Sequence, residues 1–214
     1  GCGLVNGLLV TRLRVAPFIV TLGTMSVLRG VAKGLANEQK IDADPRGLDA
    51  LVAPLAPERA WLLVPAGVWI VIVLAVATAA MLRYTRFGRH VFAVGSNEAT
   101  ARLAGVRVDR VKVLVYAVAG LFVGLAAIME FGTLTLGDPT TAVGLELEAI
   151  AAVVIGGAPL SGGEGSIAGA LVGAFLMTVI RTGATHMGLP NWVQEIVTGV
   201  IIVVAVALDR ARRK

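Results

Sequence analysis

Long, nearly uninterrupted apolar runs decide what this 214-residue chain can fold into. Residues 15–36, 61–82, 111–130, 166–187 and 192–208 each come close to the roughly 20 residues that one α-helix needs to cross hydrocarbon. Hydrophobic residues make up 57% of the chain and charged ones 15%, against about a quarter charged in an ordinary soluble domain. Inside lipid every backbone polar group must be satisfied within its own segment, so such runs become helices. The expected fold is an all-α, polytopic membrane helical bundle.

Along the chain the runs resolve into about six full spans plus one partial span. The partial one is 1–10, which ends at the basic turn Arg12–Arg14 and reads as the second half of a helix; the chain is therefore expected to be an N-terminally truncated fragment of one transmembrane domain, 1–214. Span two (15–36) carries Pro17 near its start and Arg29 and Lys33 near its end. A polar, acidic loop, 37–60, follows, with a short helix expected around 47–53. Span three (61–82) has Trp61 as an interfacial anchor and Trp69 facing lipid. After the basic loop 83–112 come span four (111–130), a polar connection (132–144) and a short fifth span (145–157). The last is broken by Gly156, Gly157, Gly162, Gly163 and Gly165 before spans six (166–187) and seven (192–208).

Charge placement gives an orientation. Counting crossings puts Arg12 and Arg14, the 83–112 loop and the basic tail ending at Lys214 on one side. By the positive-inside rule that side, with the C-terminus, is cytoplasmic, and 37–60 is extracytoplasmic. The net charge of +5 is thus a membrane-topology signal. With few aromatic residues and none interleaved with the basic ones, no nucleic-acid surface is expected.

The 83–112 loop carries the most local information. Ser96 or Asn97 can cap a helix N-terminus. Glu98 suits the first turn and reaches Arg102 at i+4, and Gly105 suits a left-handed stop. This predicts a helix of two to three turns lying along the membrane. Glycines four apart recur at Gly3/Gly7, Gly30/Gly34, Gly120/Gly124 and Gly165/Gly169/Gly173, the spacing that lets helix backbones approach closely in lipid.

Several strings resemble the permease subunit of bacterial carbohydrate ABC importers of the ribose/xylose/galactose group. They are Gly3-Leu4-Val5-Asn6-Gly7, Pro17-Phe18-Ile19-Val20-Thr21-Leu22-Gly23-Thr24, Thr85-Arg86-Phe87-Gly88-Arg89, Gly95-Ser96-Asn97-Glu98-Ala99, Ala101-Arg102-Leu103-Ala104-Gly105, Glu148 to Gly157 and Leu160-Ser161-Gly162-Gly163. Branched-chain amino-acid permeases share the general plan, but the 17–24 and 148–163 strings look more like the sugar branch. The resemblance implies an inner-membrane protein working with a second permease subunit, an ABC ATPase and an extracytoplasmic solute-binding protein. It also implies that Gly95, Asn97, Glu98, Ala99, Ala101, Arg102 and Gly105 form the segment that couples to the ATPase.

The remaining chemistry is sparse. No G-x-x-x-x-G-K-[ST] phosphate loop is present, and the glycines at 162–165 lack its lysine. ATP hydrolysis is therefore expected from another chain, with no enzyme activity, cofactor or metal here. Cys2 is alone, and His90 and His186 fall on opposite sides. Charges inside spans are costly and should face the bundle, a cavity or headgroups. Arg29, Lys33 and Glu130 fit snorkelling at span ends, and Glu146 and Glu195 also lie at span ends. Glu148 and Arg181 lie deeper and are candidates for the translocation path or for packing. Thr21, Thr24 and Asn191 could contact a sugar, or bond to neighbouring backbone. The rival reading is a stand-alone, ion-coupled secondary transporter or channel, and an intramembrane enzyme is more remote. The solute itself is not encoded legibly: sugars, nucleosides, autoinducer-like furanoses and polyols all fit.

Overall fold

The computed structural model describes residues 1–44, 47–53 and 64–212; the expected anchor Trp61 lies outside them. The described residues are helical almost throughout: α1 (Cys2–Leu13), α2 (Pro17–Leu35), α3 (Ala66–Tyr84), α4 (Arg86–Ser96), α5 (Glu98–Leu103), α6 (Val108–Leu134), α7 (Leu145–Ile155), α8 (Ile167–His186) and α9 (Asn191–Arg212). Two-residue strands, β1 (Ile41–Asp42) and β2 (Leu136–Gly137), and a 3-10 turn at Asp49–Leu51 complete them. α2, α3, α6 and α8 are long and apolar enough to cross a membrane, and α1 and residues 191–207 of α9 form shorter apolar helices. The all-α polytopic expectation holds.

The chain divides into two compact units. The first comprises 1–76 and 107–141, where α1 packs against α6 in antiparallel fashion. Gly3 lies over Gly120 and Gly7 over Val113 so closely that a methyl group on Gly7 would sit 2.8 Å from the Val113 Cα. Here the four-residue glycine spacing is used as helix-packing physics requires. Gly30, Gly34 and Gly124 have nothing within 4 Å of where their side chains would begin. At the far end of α6, Gly132 abuts the Leu48 carbonyl and Val52, and Gly67 abuts the Leu51 carbonyl and Met129. β1 and β2 pair antiparallel, Ile41 with Gly137 and Asp42 with Leu136. Lys40 Nζ lies 3.2 Å from Asp138 Oδ2 beside this pair.

The second unit comprises 77–106 and 142–214. Its core is Ala151, Ala152 and Met177, flanked by Ile155, Ile201 and Ile202, so α7 is clasped by α8 and α9. Small residues do most of this work. Gly156 and Gly169 face each other, and Gly173 rests on the Ala152 carbonyl. α7 has 11 residues, about 16 Å at 1.5 Å per residue, or half the roughly 30 Å of hydrocarbon. The segment expected as a short fifth span is thus a half-length helix, and it is not among the helices long and apolar enough to cross a membrane. Within each unit the contacts join segments that the crossing count puts on one face. In the first unit residues 41–52 meet 132–137, and in the second 95–96 meet 162–163.

Candidate functional site

The connection from α3 into α5 is built by two side-chain caps and one glycine. Thr85 Oγ1 donates to the Met81 carbonyl at 2.6 Å, ending α3, and accepts from Gly88 N at 3.2 Å, starting α4. Gly88 is buried against the Leu82 backbone, where a Cβ would have no room. α4 then runs with Phe87, Val91, Phe92 and Val94 half-buried and Arg86, Arg89 and His90 exposed. Where the sequence suggests only a basic loop, the structure thus has an 11-residue helix. The signal for it lies in Thr85 as a capping residue and in apolar residues at 87, 91 and 94, three to four apart.

Asn97 closes α4 and opens α5. It is extended (φ −156°), and its side-chain oxygen accepts from Thr100 N at 2.9 Å. Of the two expected caps, Asn97 is the one used. Glu98 stands in the first turn, and its carboxylate accepts from Arg102 Nη2 at 3.3 Å. The end is a Schellman cap: Val106 N donates to Ala101 O at 3.0 Å and Gly105 N to Arg102 O at 3.1 Å. This requires Gly105 at φ +82°, a conformation that a Cβ disfavours. α5 is therefore six residues long, shorter than the predicted two to three turns. The helix begins at the expected cap and ends at the expected glycine, while Gly95 belongs to the helix before it. Ala101 is buried and pins α5 down, Ala99 is exposed, and Leu103 is 89% exposed, an isolated apolar side chain in a polar loop.

Behind this joint stands the glycine segment between α7 and α8. Gly156 caps α7, Gly157 follows it, and Gly162 and Gly163 both have positive φ (81° and 85°). Gly165 fits beside Ala158, and Ser166 caps α8 by accepting from Gly169 N at 3.0 Å. Gly163 meets the backbone of Ser96, and Gly95 meets the backbone of Gly163.

The candidate path residues fall in both units. Thr21 and Thr24, in the first, donate their hydroxyl protons to backbone carbonyls of α2: Thr21 to Pro17 and Phe18 at 3.1 Å, Thr24 to Val20 at 3.1 Å and to Thr21 at 3.0 Å. In the second unit, Arg181 Nη1 reaches both carboxylate oxygens of Glu148 at 3.3 Å, tying α8 to the first turn of α7. Asn191 is exposed at the start of α9. The Lys40–Asp138 pair has no counterpart in the sequence expectations. Asp138 also accepts from the Thr140 hydroxyl at 2.6 Å and from Thr140 N at 2.8 Å. Hydrogen bonds from Thr140, with a smaller contribution from Lys40, hold its carboxyl below the usual range. Among the described residues no three His, Cys, Asp or Glu side chains converge on a metal site.

Residues 1–206 match the family model described as branched-chain amino acid transport system / permease component. Among curated relatives, the ribose import permease protein RbsC of Escherichia coli K12 is 39% identical over 99% of this chain and 65% of its own length. The L-arabinose ABC transporter permease protein AraH of Azospirillum brasilense is 38% identical over 99% of this chain and 61% of its own. The autoinducer 2 import system permease protein LsrC of Photorhabdus luminescens is 36% identical over 97% and 61%. The chain thus spans somewhat less than two thirds of the length of these relatives. No solved structure shows a significant match. With the match running through nearly every helix described above, the chain belongs to the branched-chain amino acid transport system / permease component family.

Proposed function

We propose that this chain is the transmembrane subunit of an ATP-driven importer that moves a monosaccharide or a similar small polar solute across the bacterial inner membrane. The observation that carries the reading is α5. A six-residue helix is far below the length that is stable alone in water, yet it is capped at both ends and presents Leu103 almost fully exposed. A helix so fixed, with one apolar side chain held outward, fits a complementary groove on another protein. In this reading that protein is an ABC ATPase, and Asn97, Glu98, Ala99, Arg102 and Gly105 shape the docking segment that Ala101 anchors. Relatives named for ribose, arabinose and autoinducer 2 import support a sugar-like solute. A second permease subunit and a solute-binding protein complete the assembly.

The chain contributes no covalent chemistry. ATP binding closes the partner ATPases, α5 moves with them, and the helices follow. With the basic loops inside, the C-terminus is cytoplasmic and the Lys40–Asp138 face is outside. Glu148 with Arg181, together with Thr21, Thr24 and Asn191, supplies polar groups for the path. The two threonine oxygens can still accept bonds there after donating their own protons.

The test is co-purification of the full-length permease with its candidate ATPase. The native loop should bring the ATPase down, whereas Leu103→Asp combined with Glu98→Arg should lose it while still inserting into the membrane. If the native protein binds no ATPase and uptake persists without one, ion-driven transport replaces this reading.

A further inference from the structure

The second unit contains a backbone-on-backbone contact between segments distant in sequence. A Cβ on Gly95 would stand 2.6 Å from Gly163 N and 3.1 Å from its Cα. One on Gly163 would stand 2.8 Å from Ser96 Cα and 2.9 Å from Ser96 N, and one on Gly162 would stand 3.2 Å from the Gly95 carbonyl oxygen. The surfaces interlock reciprocally, and nearly every atom met is backbone, so no flexible side chain can swing aside to absorb a displacement. The Gly162–Gly163 turn is itself stiff. Gly162 N donates to Pro159 O at 3.0 Å, and both residues hold positive φ. It also sits between two fixed points, the cap of α7 at Gly156 and the Ser166 cap of α8, whose helices touch through Gly156/Gly169 and Ala152/Gly173. On the other side, Gly95 lies two residues before Asn97, the extended joint on which α5 hangs.

From this we infer that Gly95, Gly162 and Gly163 form a rigid bearing through which movement of α5 is delivered to the α7–α8 hairpin. Gly95 is accordingly a positioning residue facing its own chain and not part of the ATPase-docking surface. The inference rests on the importer reading and adds the internal route by which docking becomes helix movement. Packed elements with two discrete arrangements carry coupling between sites. A contact made of backbone alone carries it with little compliance.

The test uses the full-length permease with its ATPase and binding protein in proteoliposomes, reading three quantities: ATPase co-purification, ATP hydrolysis, and solute uptake per ATP. Gly95→Ala should leave the ATPase bound and hydrolysing while uptake per ATP falls about tenfold, the size of a typical coupling free energy. Gly162→Ala should behave alike, and it decides the matter if Gly95→Ala does not accumulate. Gly157→Ala separates contact from backbone strain. Gly157 shares the positive φ, at +89°, but has nothing within 4 Å of the added methyl, so its uptake per ATP should stay near the native value. Loss of ATPase binding in Gly95→Ala would place Gly95 on the docking surface and overturn the bearing. Native uptake per ATP in Gly95→Ala or Gly162→Ala would also overturn it, leaving the importer reading intact. A native complex that retains no ATPase would overturn both.

Discussion

Asp138 shows how one residue can tie a loop to a helix end. Its carboxylate accepts from the Thr140 hydroxyl and amide and pairs with Lys40, which fixes the β1–β2 pair. Because its folded pKa is lowered, the stabilisation is fully present above the ordinary carboxylate value. It is lost as pH falls through the lowered folded one. Hydrogen-exchange protection factors around 40–42 and 136–140 should therefore be flat from neutral pH down to the ordinary carboxylate range and fall only below it. Asp138→Asn should raise exchange already at neutral pH. Glu148 and Arg181 form the other informative pair. Arg181 is largely exposed and Glu148 partly so, so the pair is worth little as a surface bridge in water, about 1 kcal/mol or less. Near lipid, an unpaired member is the greater cost. In a double-mutant cycle scored by melting in nanodiscs, the double variant should be less destabilised than the sum of Glu148→Gln and Arg181→Gln, by a coupling of about 1 kcal/mol.

Among the elements, the α7–α8 hairpin depends on residues too small to be noticed individually. Gly173 lies on the Ala152 carbonyl, and any larger side chain must push the helices apart. Overpacking a tight contact costs about 1–3 kcal/mol, so Gly173→Val should lower the melting temperature of the purified protein. Gly199→Val in α9, where nothing lies within 4 Å, should be neutral or slightly stabilising, because glycine is the poorer helix former. The same comparison explains what glycine spacing can and cannot say. Gly3/Gly7 and Gly169/Gly173 are used, whereas Gly30/Gly34 face open space among the described residues. The motif states that close approach is permitted; a facing helix decides whether it happens. α4 is hard to see in the sequence for a related reason. Arginines and a histidine on its exposed side hide an apolar stripe that becomes visible only when read at helical spacing.

For the molecule as a whole, α2 buries Val20 alone, while Phe18, Ile19, Val27 and Val31 stay exposed, and comparable apolar surfaces line α3 and α6. Such area is tolerable only against lipid or other membrane helices. The protein should resist extraction by alkaline carbonate and come into solution with detergent. Leu103→Asp should leave that behaviour unchanged, and under the proposed docking role it should weaken ATPase co-purification, because the side chain lies on the polar loop and not on a spanning face.

The class of solution is written locally in the chain. Apolar runs of membrane-spanning length, the basic loops and the capping residues Asn97 and Gly105 are all legible there, since each acts within a few residues of itself. Span edges are readable to within a few residues for the same reason, less well where α3 starts at 66, α9 runs on to 212, and α6 runs from 108 to 134 through Glu130 and Gly132, which read as an ending. Which residues meet is settled at the level of whole helices. Gly95 lies on Gly163, Arg181 reaches back to Glu148 and Lys40 finds Asp138, each across a long stretch of intervening chain. Nothing in the local sequence favours one such partner over another; the packing of helices against each other selects it.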